Sequence, residues 1–241
     1  MNTSKKIIKY LAMAFALFLA ITIVAGILQG IYAVYNSFRP SSSPVPESKI
    51  SEINTTINDI NIDLFYSSLT IKRGNKHKWH KNNKYAMTIT IPTDIDTLDI
   101  NMGAGTLNID TISTDKLILD LGAGSTTINN INTNRANINT GAGSFTINKG
   151  IINDLDLDIG VGETNVAAVL TGNTKIDTGV GALKLALEGT ITNYQIKVNK
   201  GIGKVTIDNQ EIKDNEVVGS GPNAITLSGG LGDIEVQFVG R

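Results

Sequence analysis

The stretch Leu119–Asn130, LDLGAGSTTINN, decides how this chain is read. Taken alone it looks like a strand running into a glycine-rich phosphate loop. Loops of that kind occur once in a domain, between a strand and a helix whose N-terminus faces the phosphates. Here the tripeptide GxG returns at Gly103–Gly105, Gly122–Gly124, Gly141–Gly143, Gly160–Gly162 and Gly179–Gly181, at an interval of 19 residues each time. It returns again at Gly201–Gly203, after 22 residues, and at Gly230–Gly232, after 29. Each copy is followed by strand-like sequence such as TLNID, SFTIN or KVTID, never by a helix start. The phosphate-loop reading fails.

Residue columns then define the repeat. Three residues before the first glycine stand Ile100, Leu119, Ile138, Leu157, Ile176, Val198 and Leu227. Five before stand Leu98, Leu117, Ala136, Leu155, Thr174, Ile196 and Ile225. Six after stand Ile109, Ile128, Ile147, Val166, Leu185, Ile207 and Val236. Polar residues alternate with them, which is the period of a half-buried strand on both flanks of the tripeptide. Each unit reads as strand, glycine bend, strand, connecting turn. Nineteen residues cannot bury one apolar face alone, so the units must stack, with coils about 4.8 Å apart.

The expected fold is therefore all-β: a β-solenoid, a parallel β-helix-like stack of 19-residue coils. Glycine at the bend permits φ > 0 and lets tight corners stack without a Cβ between them. The middle residue of each tripeptide (Ala104, Ala123, Ala142, Val161, Val180, Ile202) is expected to point inward, growing larger along the stack. No proline lies between Pro92 and Pro222, as paired interior strands require.

Ahead of the repeat, the chain carries no charge from Tyr10 to Phe38. About 20 helical residues cross a bilayer core of about 30 Å. The run is too long for a cleaved signal peptide, and AVYNSF is a poor cleavage site. Lys5, Lys6 and Lys9 precede it while only Arg39 closely follows, which orients the N-terminus to the cytoplasm and exports the rest. The expected organisation is a cytoplasmic tail (1–9), a transmembrane helix acting as signal anchor (10–35) and a Pro/Ser linker (36–49). An N-terminal β cap (50–97) carrying a basic loop (71–84) comes next. The GxG solenoid (98–207) then leads to an insertion and C-terminal repeat or cap (208–241). The cap strands are expected to lie off the repeat register, and the polar insertion NQEIKDNEVVGSGPN to loop outward.

With the repeat laid out, residues 50–240 resemble the bacterial putative-adhesin family of β-strand repeats, a family of unknown function. The resemblance rests on SLTIKRG…YAMTITIPTDIDTLDINMGAGTLNI (Ser68–Ile109) and the iterated L-x-I-x-x-G-x-G-x-x-x-I units. It implies a surface-exposed, membrane-tethered β-solenoid and brings no catalytic residues with it.

Composition narrows the chemistry. Among 241 residues, 21 Lys and Arg balance 22 Asp and Glu, so no overall field favours nucleic acid. Cysteine is absent, excluding thiolate metal sites and cysteine nucleophiles, and the two histidines (His77, His80) leave little for general-base work. A polysaccharide-cleaving β-helix would need converging carboxylates and a charge stabiliser. From 98 to 240 there is a single arginine, Arg135, and no such cluster breaks the repeat. No enzyme activity, cofactor or metal is expected.

Two features remain as candidate sites. One is the column Asn101, Asp120, Asn139, Asp158, Asp177 and Asn199, whose stacked oxygens invite a Ca²⁺ hypothesis. A solvated position beside a bend, with side-chain amide ladders, explains the column better, and the calcium-binding nonapeptide's Asp after the glycines is missing here. The other is IKRGNKHKWHKNNK (Ile71–Lys84), with Lys72, Arg73, Lys76, Lys78, Lys81 and Lys84 around Trp79, the one tryptophan. It reads as a basic loop with an aromatic platform for an anionic surface. The expected role is a non-catalytic adhesin or scaffold module at the cell membrane. Its expected partners are the membrane and an anionic wall polymer or glycan; the alternative is an envelope-stress or signalling accessory that binds a membrane protein.

Overall fold

Alternating sequence of this kind forms strands, and in the computed structural model it forms little else. The structure describes residues 51–53, 58–74, 77–83, 86–91 and 94–240; the predicted tail, span and linker lie outside them. Among the described residues no helix is long and apolar enough to cross a membrane. All of them belong to one compact unit, Glu47–Arg241.

Among the described residues four strands come first: β1 (Ser51–Ile53), β2 (Asp59–Arg73), β3 (His77–Asn83) and β4 (Ala86–Ile91). Two long extended runs follow, β5 (Asp94–Ile147) and β6 (Gly150–Glu188). Drawn out straight, β5 would reach about 180 Å at about 3.3 Å per residue. It is wound instead, and β6 continues the winding in parallel register. Ala136 pairs with Leu155, Ile138 with Leu157, Ala142 with Val161 and Ile147 with Val166, each 19 residues on. The pairing lapses at 134–135, at 141 and at 148–149, so a coil has three short straight segments and three corners.

The columns read from sequence are the core. Ile100, Leu119, Ile138, Leu157, Ile176, Val198 and Leu227 are all fully buried, and their counterparts six residues after each first glycine are buried too. The third side of the coil contributes Ile112 and Ile131, with Thr114 and Thr133 beside them. Each of those threonines satisfies its buried hydroxyl on backbone: Thr114 Oγ1 donates to the Asp96 carbonyl at 2.9 Å, and Thr133 Oγ1 to the Arg135 carbonyl at 3.1 Å.

Three expectations are corrected. First, the middle residue of the tripeptide points outward: Val161 is 55% exposed and Ile202 75%. Side chains at positions 5, 3 and 1 before the first glycine face inward, and so do those 4 and 6 after it. That odd offset loses one step of the strand alternation at the corner, which throws the middle residue to solvent.

Second, β2 lies in register with the repeat. Ile60 pairs with Leu98, Ile62 with Ile100 and Ile71 with Ile109, an offset of 38, twice the repeat. Tyr66 pairs with Ala104, so Phe65-Tyr66-Ser67 takes the place of a GxG corner. The excursion through β3 and β4 fills the second interval. β4 stacks in parallel on the outer side of β2, Ile89 beside Ile71, and β3 runs antiparallel between β4 and β1. Of the predicted basic loop, the described residues are the end of β2, Gly74 and the whole of β3.

Third, the insertion does not simply loop outward. After a single 3-10 turn (Ile191–Asn193) come β7 (Tyr194–Asn199) and β8 (Val205–Ile207), then β9 (Gln210–Glu211) and β10 (Val217–Val218). β9 folds back antiparallel on β8, and β10 on β7, with Val218 opposite Ile196. Both short strands shield edges that would otherwise present unpaired N–H and C=O groups.

The last coil, β11 (Asn223–Ser228) and β12 (Ile234–Val239), then departs from chain order. Ile225 pairs with Thr174 on one side and Ile196 on the other; Leu227 sits between Ile176 and Val198. β12 likewise lies between β6 and β8, with Val236 flanked by Leu185 and Ile207. The seventh coil is intercalated between the fifth and the sixth. Tyr194 fills the space beside it: its ring stacks on Phe238 at 5.8 Å, and its hydroxyl donates to the Glu188 carbonyl at 2.6 Å. Burial pushes that phenol's pKa up.

Candidate functional site

The basic segment is built on strand backbone. β4 lies between β2 and β3, and both Lys72 and Lys78 register with Thr90. Residues in one cross-strand row share a face, so the two lysines project from the same side of the sheet, two strand spacings (about 9.6 Å) apart at their backbones. Lys72, Arg73 and Lys78 are exposed. Trp79 and Lys81 lie on β3, where Trp79 registers with Ile89 and Lys81 with Met87. Lys76 and Lys84 lie outside the described residues. The polar composition of HKWHKNN concealed this strand from a period-2 reading.

Within the Asn/Asp column one amide–carboxylate rung joins neighbouring coils. Asn139 Nδ2 donates to Asp120 Oδ1 at 2.6 Å, and on neighbouring columns Asn134 reaches Asp115 and Asn148 reaches Asn129, both at 2.8 Å. Farther along, two carboxylates meet. Partial burial, with Asp156 and Asp177 close by, raises the Asp158 pKa against the pull of Lys175. Asp177 is held low, chiefly by its hydrogen bond from Lys175. Among the described residues no three His, Cys, Asp or Glu side chains gather so as to hold a metal ion.

The predicted bend glycines occupy the corners, and the structure divides their two roles. Gly141 has no room for a Cβ because the Gly122 carbonyl lies against it. Gly143 has the same constraint from Gly124 and also sits at φ 135°. The pattern recurs at Gly122 and Gly124, Gly160 and Gly162, and Gly179 and Gly181. Gly103 and Gly105 stack on Phe65 and Ser67; Gly230 and Gly232 stack on the fifth corner, with Gly201 and Gly203 against them.

A surface that the sequence reading missed lies on those corners. Because the middle residues face out, the stack carries an apolar ridge that runs from Tyr66 through Ala104, Ala123 and Ala142 to Val161 and Val180. Leu231 bridges Val180 and Ile202 and extends the ridge over the intercalated coil. The increasing size of these residues was visible in the sequence; the parity change that exposes them was not.

Parallel strands wound at a fixed interval and cornered by stacked glycines define a class: an all-β protein of solenoid-like repeats. The chain belongs to the Toastrack DUF4097 family, whose model matches residues 66–218. The match ends short of the intercalated coil. No curated protein matches the chain. Two solved structures are similar to it at 13% identity, each over 81% of this chain and 100% of its own length. One is a putative adhesin from Bacteroides fragilis (TM-score 0.39), the other a putative cell adhesion protein from Clostridium sporogenes (TM-score 0.30).

Proposed function

We propose that this protein is a non-catalytic binding module, tethered to the cell membrane by residues 10–35 and displayed outside the cell as a β-solenoid. Its basic strand pair contacts anionic wall polymer or glycan. The observation that carries the reading is the row that sets Lys72 and Lys78 on one sheet face, with Arg73 exposed beside it. Fixed cations on a rigid sheet suit a repetitive polyanion better than a single small ligand, because each added contact contributes without further ordering of the protein. Each cation near an anionic surface contributes about 1 kcal/mol at low ionic strength. Screening at physiological salt shortens the reach to about 8 Å, so binding is weak and titratable by salt.

The test is co-sedimentation of the full chain with purified wall material and with anionic vesicles across a salt series. Replacing Lys72, Lys76, Lys78, Lys81 and Lys84 by Gln removes the interaction while the far-UV spectrum is retained. Equal retention of wild type and variant would sink the assignment. Capture of a membrane protein by both would favour the accessory role.

A further inference from the structure

We propose that a notch on the solenoid wall binds one uncharged sugar residue, with its ring over Ala167 and Ala186. The site shares no residue with the basic strand pair and does not depend on it. It arises from a break in one outward column. Asn129 and Asn148 are followed at 19-residue intervals by Ala167 and Ala186. The next rung is Gln237, which pairs with Ala186 because the seventh coil is intercalated there. Two methyls therefore floor a gap about 14 Å long between the backbones of Asn148 and Gln237, three coil spacings apart. The hollow has a volume of about 300 Å³, at the small end of clefts that hold small molecules.

Three amides are aimed by hydrogen bonds made outside the hollow. Asn148 Nδ2 donates to Asn129 Oδ1 at 2.8 Å, on the side away from the notch, so its carbonyl oxygen turns toward Ala167. Asn165, beside the floor, donates to Glu163 Oε1 at 3.4 Å, and Gln237 Nε2 donates to Glu235 Oε1 at 2.6 Å. None of the three amide oxygens has a hydrogen-bond partner among the described residues, and each amide keeps a second N–H. A pyranose suits this set. Its rim hydroxyls both donate and accept, and its C–H face lies on the two methyls.

Charge selects against the rivals. Lys184 flanks the floor but is engaged by Glu163 at 3.4 Å. An anionic ligand therefore meets no spare cation and faces Glu235 as well, while a cationic ligand meets Lys184. Intercalation contributes here too. Chain order would bring Asp208, one residue on from the Ile207 that pairs with Val236, to the place of Gln237. A carboxylate would then stand where the site has an amide.

Saturation-transfer NMR on the full chain, held in a detergent without a sugar headgroup, reads weak binding of this kind directly. The probes are the methyl glycosides of glucose, galactose and mannose, with glucosamine and glucuronate as cationic and anionic forms of one ring. At least one neutral glycoside gives saturable transfer, and binds more tightly than either charged sugar. Gln237→Ala truncates an exposed side chain and weakens that binding about threefold to tenfold. Ala186→Arg fills the notch and weakens it about tenfold or more. Thr106→Arg, exposed elsewhere on the solenoid, leaves it unchanged. A trisaccharide of the same sugar that binds more tightly, and is lost in Ala186→Arg, supports the site and assigns its source to a glycan chain; equal binding supports it with a free sugar as the source. Absence of saturable transfer from every neutral glycoside would overturn the proposal. So would equal losses in Thr106→Arg and Ala186→Arg, or tighter binding of glucosamine or glucuronate than of any neutral glycoside.

Discussion

Gly143 stands directly over Gly124 at φ 135°, with no space for a Cβ between its Cα and the Gly124 carbonyl oxygen. Gly141 meets the Gly122 carbonyl in the same way but has no positive φ. Gly143→Val is therefore opposed twice, by contact and by backbone conformation, the latter alone costing about 1–3 kcal/mol. Gly141→Ala is opposed by contact only. Chemical denaturation should rank Gly143→Val as the more destabilising, with both well below wild type. Unchanged midpoints would mean that the corners open to admit a side chain at little cost.

Thr174 is the misfit of an aliphatic column. It is 4% exposed, Ile225 is its cross-strand partner, and its hydroxyl has no hydrogen-bond partner among the described residues. Thr174→Val removes an unsatisfied buried group at nearly constant shape and should stabilise the fold by about 1 kcal/mol. A fall in the unfolding midpoint would show that the hydroxyl is satisfied after all.

Stacked carboxylates give a pH dependence whose sign depends on the residue. The raised pKa of Asp158 favours the folded state while the group is protonated, and that contribution fades as pH rises through its folded pKa. The lowered pKa of Asp177 does the reverse: its contribution holds above the ordinary carboxylate range and is lost as pH falls through its folded pKa. Asp158→Asn keeps a hydrogen-bond donor toward Asp177 at every pH. It should raise the thermal midpoint at pH 7 and leave it unchanged well below the carboxylate range. A larger gain in acid than at neutrality would contradict this account.

Terminal repeats of a solenoid ordinarily fray, since each has one neighbour. The last coil here has two. Leu227 is fully buried between Ile176 and Val198, so Leu227→Ala should cost about 2–5 kcal/mol, as at an interior site. In hydrogen exchange, β11 amides should be protected as strongly as those of β6 and more strongly than those of β7. Early exchange of β11 would argue that the intercalated coil is loosely held.

How far these features could be read from sequence depends on what each one rests on. The interval between GxG tripeptides is a property of single positions, so Leu119, Ile138 and Leu157 declared the core directly. The coil formed by β2 was hidden because Phe65-Tyr66-Ser67 carries no glycine and because β3 and β4 doubled its spacing. β3 was hidden because HKWHKNN has no apolar alternation to detect. The outward turn of Val161 depends on one lost step of alternation at the corner, which no residue type signals. Placement of Leu227 between Ile176 and Val198 is a matter of which coils become neighbours; Leu227 fits the same column in either order. Of the candidate site, the cations were legible as a cluster, whereas the row that aligns Lys72 with Lys78 required the register of three strands.

The intercalated coil bears on the order in which the molecule can be completed. A stack that grows by nearest neighbours can zip from β2 through β6 as the chain emerges, each coil templating the next. At residues 194–207 that sequence of events stalls, because the surface on which β7 and β8 finally rest belongs to residues 223–239. The sixth coil must wait for the seventh, or dock early on the fifth and be displaced. The final segment to appear is thus a keystone: until it is seated the arch stands open, and a chain cut short after β10 would present two unsealed edges to the quality-control machinery instead of one finished end.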